Sequence, residues 1–189
     1  IPETTEDVLF AAKLLHRSRM NLSGIVMNFK RGTPVAHTFI QTLASFGKPV
    51  IDLPRVGEDF DYGALSGENY RPLLTSDEAR ATAEFLLELR SYAHPDSLKC
   101  DWDRRIRIFT EGHAAMCYGW SVRAAAFELD ESSPAHQNVD FAPHPHGPGA
   151  RTVSPIGGFS LALPQGLAPG REKAAWRVME YLTRPEVLK

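Results

Sequence analysis

The strongest constraint on this chain is the way its apolar residues change period. Thr4 and Asp7 are spaced as a capping box, and Val8, Ala11, Ala12 and Leu15 then recur at helical intervals, which predicts an amphipathic helix to about Met20. Gly24-Ile25-Val26-Met27 is a short continuous apolar run suited to a buried strand, and Gly32-Thr33-Pro34 then opens a second helix that Phe46-Gly47 ends. The stretch from Pro54 to Pro72 has little periodicity and predicts a long loop with short extended pieces. Beyond it, Thr75 and Glu78 are read as a second capping box, with a helix ending near His94-Pro95, and Asp101 as the cap of a helix stopped by Gly112. Strands are expected at Ala114 to Tyr118, Val139 to Ala142 and Phe159 to Leu163, a short helix over Val122 to Leu129 capped by Ser121, and a last helix through Ala174 and Leu182. Helices that alternate with short apolar runs define an α/β layer fold, here expected as a mixed sheet flanked by helices.

Charge and composition remove whole classes of partner. The 189 residues carry 21 Lys+Arg against 23 Asp+Glu, so no basic face for nucleic acid is expected. No apolar run approaches the roughly 18 residues of a membrane span, and no direct membrane insertion is expected. Cys100 and Cys117 fit no zinc spacing and are equally readable as a disulfide or as two buried thiols. The chain ends in Pro185 to Lys189 as though a helix were beginning, which reads as a piece of a longer protein.

No catalytic constellation is assigned. There is no GxSxG elbow, and Cys117 lies within an apolar run. His136, His144 and His146, with Asp140, are the most natural zinc ligands, but HPH lacks HExxH or a paired CxxC, so no metal and no cofactor are assigned. Gly147-Pro148-Gly149 and Gly157-Gly158 complete neither a phosphate loop nor a dinucleotide fingerprint. Asp59 with Asp61, and Asp101 with Asp103, suit loop and cap duty. What remains is Tyr118-Gly119-Trp120-Ser121, where a strand turns into a helix. Ligands of open α/β sheets sit outside such strand ends, and aromatic faces there suit sugar rings. The competing reading of Tyr118 and Trp120 is as core aromatics.

Seven segments in order resemble the extracellular solute-binding proteins of ABC importers, in particular the sugar-binding, maltose-binding-protein-like group. They are Ile1 to Asp7, Ser45-Phe46-Gly47, Phe109 to Met116 (FTEGHAAM), Tyr118-Gly119-Trp120, Phe141 to Pro145, Ser154 to Phe159, and Ala174-Ala175-Trp176 through Tyr181 to Glu186. Thr5, Lys48, His113 and Phe159 depart from the group's usual Trp, Gly, Lys and Trp.

The resemblance implies a type II periplasmic-binding-protein lobe within a two-lobed clamp. Residues 1–158 are then the C-terminal lobe, and 159–189 a hinge strand and a helix that packs on the absent N-terminal lobe. APHPHGPG, residues 142–149, becomes a stiff loop facing the other lobe, its prolines limiting the entropy lost on closure. The implied function is non-enzymatic capture of a carbohydrate and its delivery to membrane permease subunits, by a monomer outside the cytoplasmic membrane, periplasmic or extracellular. Trp120 and Tyr118 are then expected to stack on or bond the ligand, and Gly157, Gly158 and Phe159 to bring backbone and an aromatic edge to it. His37 and Asp52 are expected as polar contacts, and the histidines of the 142–149 loop as donors to ligand hydroxyls. The same receptor for a polyol, a glycerol phosphate or another small solute is the near alternative, with Arg123 and Arg151 as the nearest phosphate partners. A metal-dependent hydrolase on the 136–146 histidines, or a scaffold without a small ligand, are rivals of other classes.

Overall fold

The computed structural model describes residues 1–57, 59–60, 71–155 and 161–187. The described chain divides into two compact units, Ile1–Ser154 and Pro155–Lys189.

The first unit is organised by one buried segment. Every residue from Ser23 to Phe29 is buried, including the polar Ser23 and Asn28. Helix α1 (Thr5–Leu15) lies directly on it: a Cβ on Gly24 would come 2.0 Å from the carbonyl oxygen of Ala12. Only glycine permits that approach. Parallel bridges flank the segment, Ile25 with Ala93 on one side and Ser23 with Ala114 and Val26 with Cys117 on the other.

These bridges stand where a mixed sheet was expected. Among the described residues the one regular sheet is the antiparallel pair β1 (Arg55–Val56) and β2 (Asp59–Phe60). The hydrogen bonds give the reason. The amides of Ser23 and Val26 donate toward His113 and Met116, whereas those of Gly24 and Ile25 both donate to the Tyr92 carbonyl. Strand alternation slips by one residue there, as in a bulge, so the bridges stay isolated and join into no ladder. The strand expected at Val139 to Ala142 is also absent. The Asp140 carboxylate accepts the Phe141 amide at 2.8 Å, and Pro143 and Pro145 have no amide to offer a ladder.

The helices follow their caps. Thr4 and Asp7 form the expected capping box, although α1 ends at Leu15 and a separate 3-10 turn covers Ser18–Met20. Helix α2 runs Thr33–Ser45 with Pro34 in its first turn. Helix α3 (Asp77–Arg90) is capped by Ser76 and not by Thr75: the Ser76 hydroxyl accepts the Ala79 amide at 3.1 Å. Asp101 caps α4 (Trp102–Thr110) as expected. The helix predicted over Val122 to Leu129 resolves into a 3-10 turn, Ser121–Arg123, and a single-turn α5, Ala125–Glu128. In the second unit, α6 (Pro169–Leu182) buries none of its residues.

The layout also settles the cysteines. Cys100 lies on one side of the central segment, where its carbonyl accepts the Lys30 amide at 3.2 Å, and Cys117 lies on the other, bridged to Val26. Cys117 packs against the cluster that holds Cys100, with no bond between the two sulfurs. Both cysteines are free, and burial raises both thiols, Cys117 to about 11. Protein unfolded without reductant should therefore titrate as two thiols per chain, a result near zero being incompatible with this layout. Gly24→Ala should destabilise the fold by at least about 2 kcal/mol in chemical denaturation, because the added methyl meets helix backbone that cannot yield.

Candidate functional site

The central segment and the 114–120 stretch run parallel, so both finish at the same end of the first unit. Residues 97–100 are drawn to that end as well, since Phe29 donates to the Ser97 carbonyl at 2.9 Å and Lys30 to that of Cys100. Helices α2 and α4 therefore both begin there.

Three rings converge on this end. His37, exposed on the second turn of α2, lies edge-on to Trp102, the first residue of α4, with centroids 6.2 Å apart and planes at 81°. It also lies edge-on to Trp120, at 6.0 Å and 74°. Both tryptophans are half-buried. Ion pairs brace the corner: Lys30 with Asp101 at 3.2 Å, and Asp103 on α4 with Arg123 in the turn after Trp120 at 2.6 Å. Among the described residues, neither the His37 ring nitrogens nor the two indole N–H groups have a hydrogen-bond partner. The corner thus offers apolar ring surface with unused polar atoms set into it, the combination that C–H faces and hydroxyls of a neutral polyhydroxy solute require.

The other expected site residues are placed differently. Tyr118 packs against the main core cluster and stacks on His144, with centroids 4.9 Å apart and planes at 25°. Burial pushes its phenol well above the ordinary tyrosine value. Asp52 is exposed and pairs with Arg71 at 3.1 Å, on backbone where Asp52 also donates to the Arg71 carbonyl. Gly157, Gly158 and Phe159 lie outside the described residues. Trp102 joins the corner although its spacing with Ile106 and Phe109 reads as core. Its position immediately after the Asp101 cap is the one sequence signal that sets it at a helix start.

The APHPHGPG stretch is a latch between two helices. His146 donates its amide to the Glu3 carbonyl and accepts from the Thr5 amide at the start of α1, while Gly147 donates to the Ser45 carbonyl at the end of α2. A Cβ on Gly147 would come 2.9 Å from the Phe46 ring. His144 Nδ1 is 2.9 Å from the Ser45 hydroxyl, and His146 Nδ1 is 3.0 Å from the Gly147 carbonyl. These two histidines are thus turned to different local partners. Among the described residues no group of three or more His, Cys, Asp or Glu has the geometry to hold a metal ion.

The profile of the bacterial extracellular solute-binding protein family matches residues 2–189. The chain belongs to that family. No curated relative matches it. A solved ABC-transporter solute-binding protein of Agrobacterium radiobacter K84, in complex with ribitol, is similar at 26% identity and TM-score 0.82, over 99% of this chain and 43% of that one. Maltose-bound MalE3 of T. maritima is similar at 24% identity and TM-score 0.77, over 99% and 44%. A solute-binding protein of Agrobacterium vitis S4 with bound D-mannitol has 20% identity and TM-score 0.63, over 77% and 32%. The chain therefore spans less than half the length of these structures. The fold class is consistent with α/β, the family is bacterial and extracellular, and no helix among the described residues is long and apolar enough to cross a membrane.

Burial lowers His144 from its ordinary value of 6.5. It lowers His94 likewise, Asp96 opposing the shift. A folded value below the unfolded one means that the unfolded chain takes up the proton first as pH falls. The stability these groups confer is complete above the unfolded value and is lost as pH drops through it toward the folded one. The melting temperature should fall between pH ~7.5 and ~5, and His144→Phe, which keeps a ring over Tyr118, should make that fall shallower. An unchanged slope in His144→Phe would remove His144 from the account.

Proposed function

We propose that this chain is one lobe of a two-lobed solute-binding protein that captures a neutral polyhydroxy solute, a sugar or a polyol, and delivers it to the permease of an ABC importer. The observation that carries the reading is the His37, Trp102 and Trp120 corner, built where two parallel segments end and two helices begin, in a chain of the extracellular solute-binding family. Ribitol, maltose and D-mannitol are the solutes of the three similar structures, and each presents hydroxyls along a C–H-rich face.

In this reading the protein is a non-enzymatic monomer in the periplasm or on the outer surface. Residues 1–158 form the C-terminal lobe of a type II periplasmic-binding-protein architecture, the bridged segments standing for its mixed sheet. Residues 159–189 belong to the hinge and to a helix that packs on the other lobe, and Gly157 to Phe159 approach the ligand. Closure of the two lobes traps the solute, and the closed form is what the permease receives. Trp102 and Trp120 supply the stacking surface and His37 the central hydrogen-bonding group. Tyr118, two residues before Trp120, packs on the core and on His144. A phosphate-bearing cargo fits less well, because Arg123 is already engaged by Asp103.

Titration of the full-length protein with ribitol, D-mannitol and maltose, followed by tryptophan fluorescence, tests the reading. One of the three should give a saturable change, and Trp120→Ala and Trp102→Ala should each weaken it by at least about 1 kcal/mol. A flat response to all three, or full affinity in both folded variants, would overturn it.

A further inference from the structure

Beneath the aromatic corner lies a polar arrangement that the binding reading does not use. Asn28 is buried, with 3% exposure, at the end of the central segment. In the amide orientation that satisfies its neighbours, its nitrogen donates to the Asp101 carbonyl and its oxygen accepts from Arg105 Nη1, each at 3.0 Å. Its own carbonyl accepts the Thr38 hydroxyl at 3.0 Å. Asp101 precedes Trp102 and Thr38 follows His37, so one residue is bonded beside both ring-bearing positions, on two different helices.

Arg105 makes the arrangement unusual. The side chain is 6% exposed, and among the described residues it has no carboxylate partner while its Nε has no hydrogen-bond partner at all. Burial lowers its pKa from the ordinary arginine value, yet a guanidinium stays charged at neutral pH. Burying an uncompensated cation works against folding, and an apolar side chain of similar volume would suit the core better. Its single strong role is to orient the Asn28 amide. With the oxygen held by Arg105, the nitrogen is left to face Asp101.

We infer that Asn28 is the positioning residue of the binding corner, and that Arg105 is held in the core to fix its amide. Asn28 touches no solute. It sets where α4 begins relative to α2, and so fixes the angle at which Trp102 and Trp120 meet His37. The inference rests on the proposed binding role for its consequence on affinity, and on the fold alone for its consequence on the rings.

Those two consequences are separable by 19F NMR of the full-length protein labelled with 5-fluorotryptophan, alongside solute titration. This chain contributes three tryptophans to that protein, their resonances assigned by single Trp→Phe variants, and Trp176, in the second unit, serves as an internal reference. In Asn28→Ala without solute, the Trp102 and Trp120 resonances should shift or broaden while Trp176 stays in place. Affinity for whichever of the three solutes binds should fall about tenfold, and the melting temperature by only ~5 °C. Arg105→Met should move the same two resonances without lowering the melting temperature. If Asn28→Ala fails to fold, Arg105→Met decides the matter, because it leaves Asn28 in place and removes only the guanidinium that holds its amide oxygen, and it should still move the Trp102 and Trp120 signals. Unmoved signals in the folded variants overturn the inference. Moved signals in a protein that binds none of the solutes leave the positioning role standing and remove the binding reading.

Discussion

The burial of residues 23–29 between α1 and two parallel neighbours is the constraint on which the rest of this structure depends. Gly24 lets the segment lie against the backbone of α1 at Ala12. Ile25 and Met27 then enter the main core cluster with Val8 and Leu89, while Val26 faces a second cluster with Cys100 and Ile108. A segment packed on both faces resembles the strands of a parallel sheet, which must be covered on each side. It differs in having no continuous ladder, and the amides that a ladder would pair are satisfied one at a time by Tyr92, Ser97, Met116 and His113. The helices that carry the aromatic corner are attached to the exit of this segment.

The same dependence separates the two ends of the chain's histidine chemistry. His144 and His146 belong to the latch that joins the start of α1 to the end of α2, with backbone bonds at Thr5, Glu3 and Ser45. His37 is on the exposed side of α2 and meets only rings. Half-buried histidines with local partners belong to the packing, whereas an exposed imidazole between two half-buried indoles, with no partner for its nitrogens among the described residues, has atoms to offer a solute.

Much of this was legible in the sequence, and what was not has a common cause. The caps at Thr4 and Asp101, the proline in the first turn of α2 and the apolar run at Gly24 to Met27 all act within a few residues, and the structure keeps them. Choosing Ser76 over Thr75 as a cap depends on one residue of register, which periodicity does not resolve. The missing ladder arises from a slip at Gly24-Ile25 that only the pairing with Tyr92 reveals. At the corner, Trp120 is singled out in the sequence by its place after a strand-like run, and His37 as a polar residue flanking the helix after Gly32. Trp102 is not, because a tryptophan one turn before Ile106 has the spacing of a core residue, and its neighbours across the corner come from residues 37 and 120, far away in sequence. Gly157 to Phe159, the remaining expected contacts, lie outside the described residues.

The most direct test of the account is the set of intermolecular NOEs between a bound polyol or sugar and the indole protons of the full-length protein. The corner predicts contacts from solute C–H protons to the rings of Trp102 and Trp120. A saturably bound solute with contacts elsewhere and none to either ring would contradict it.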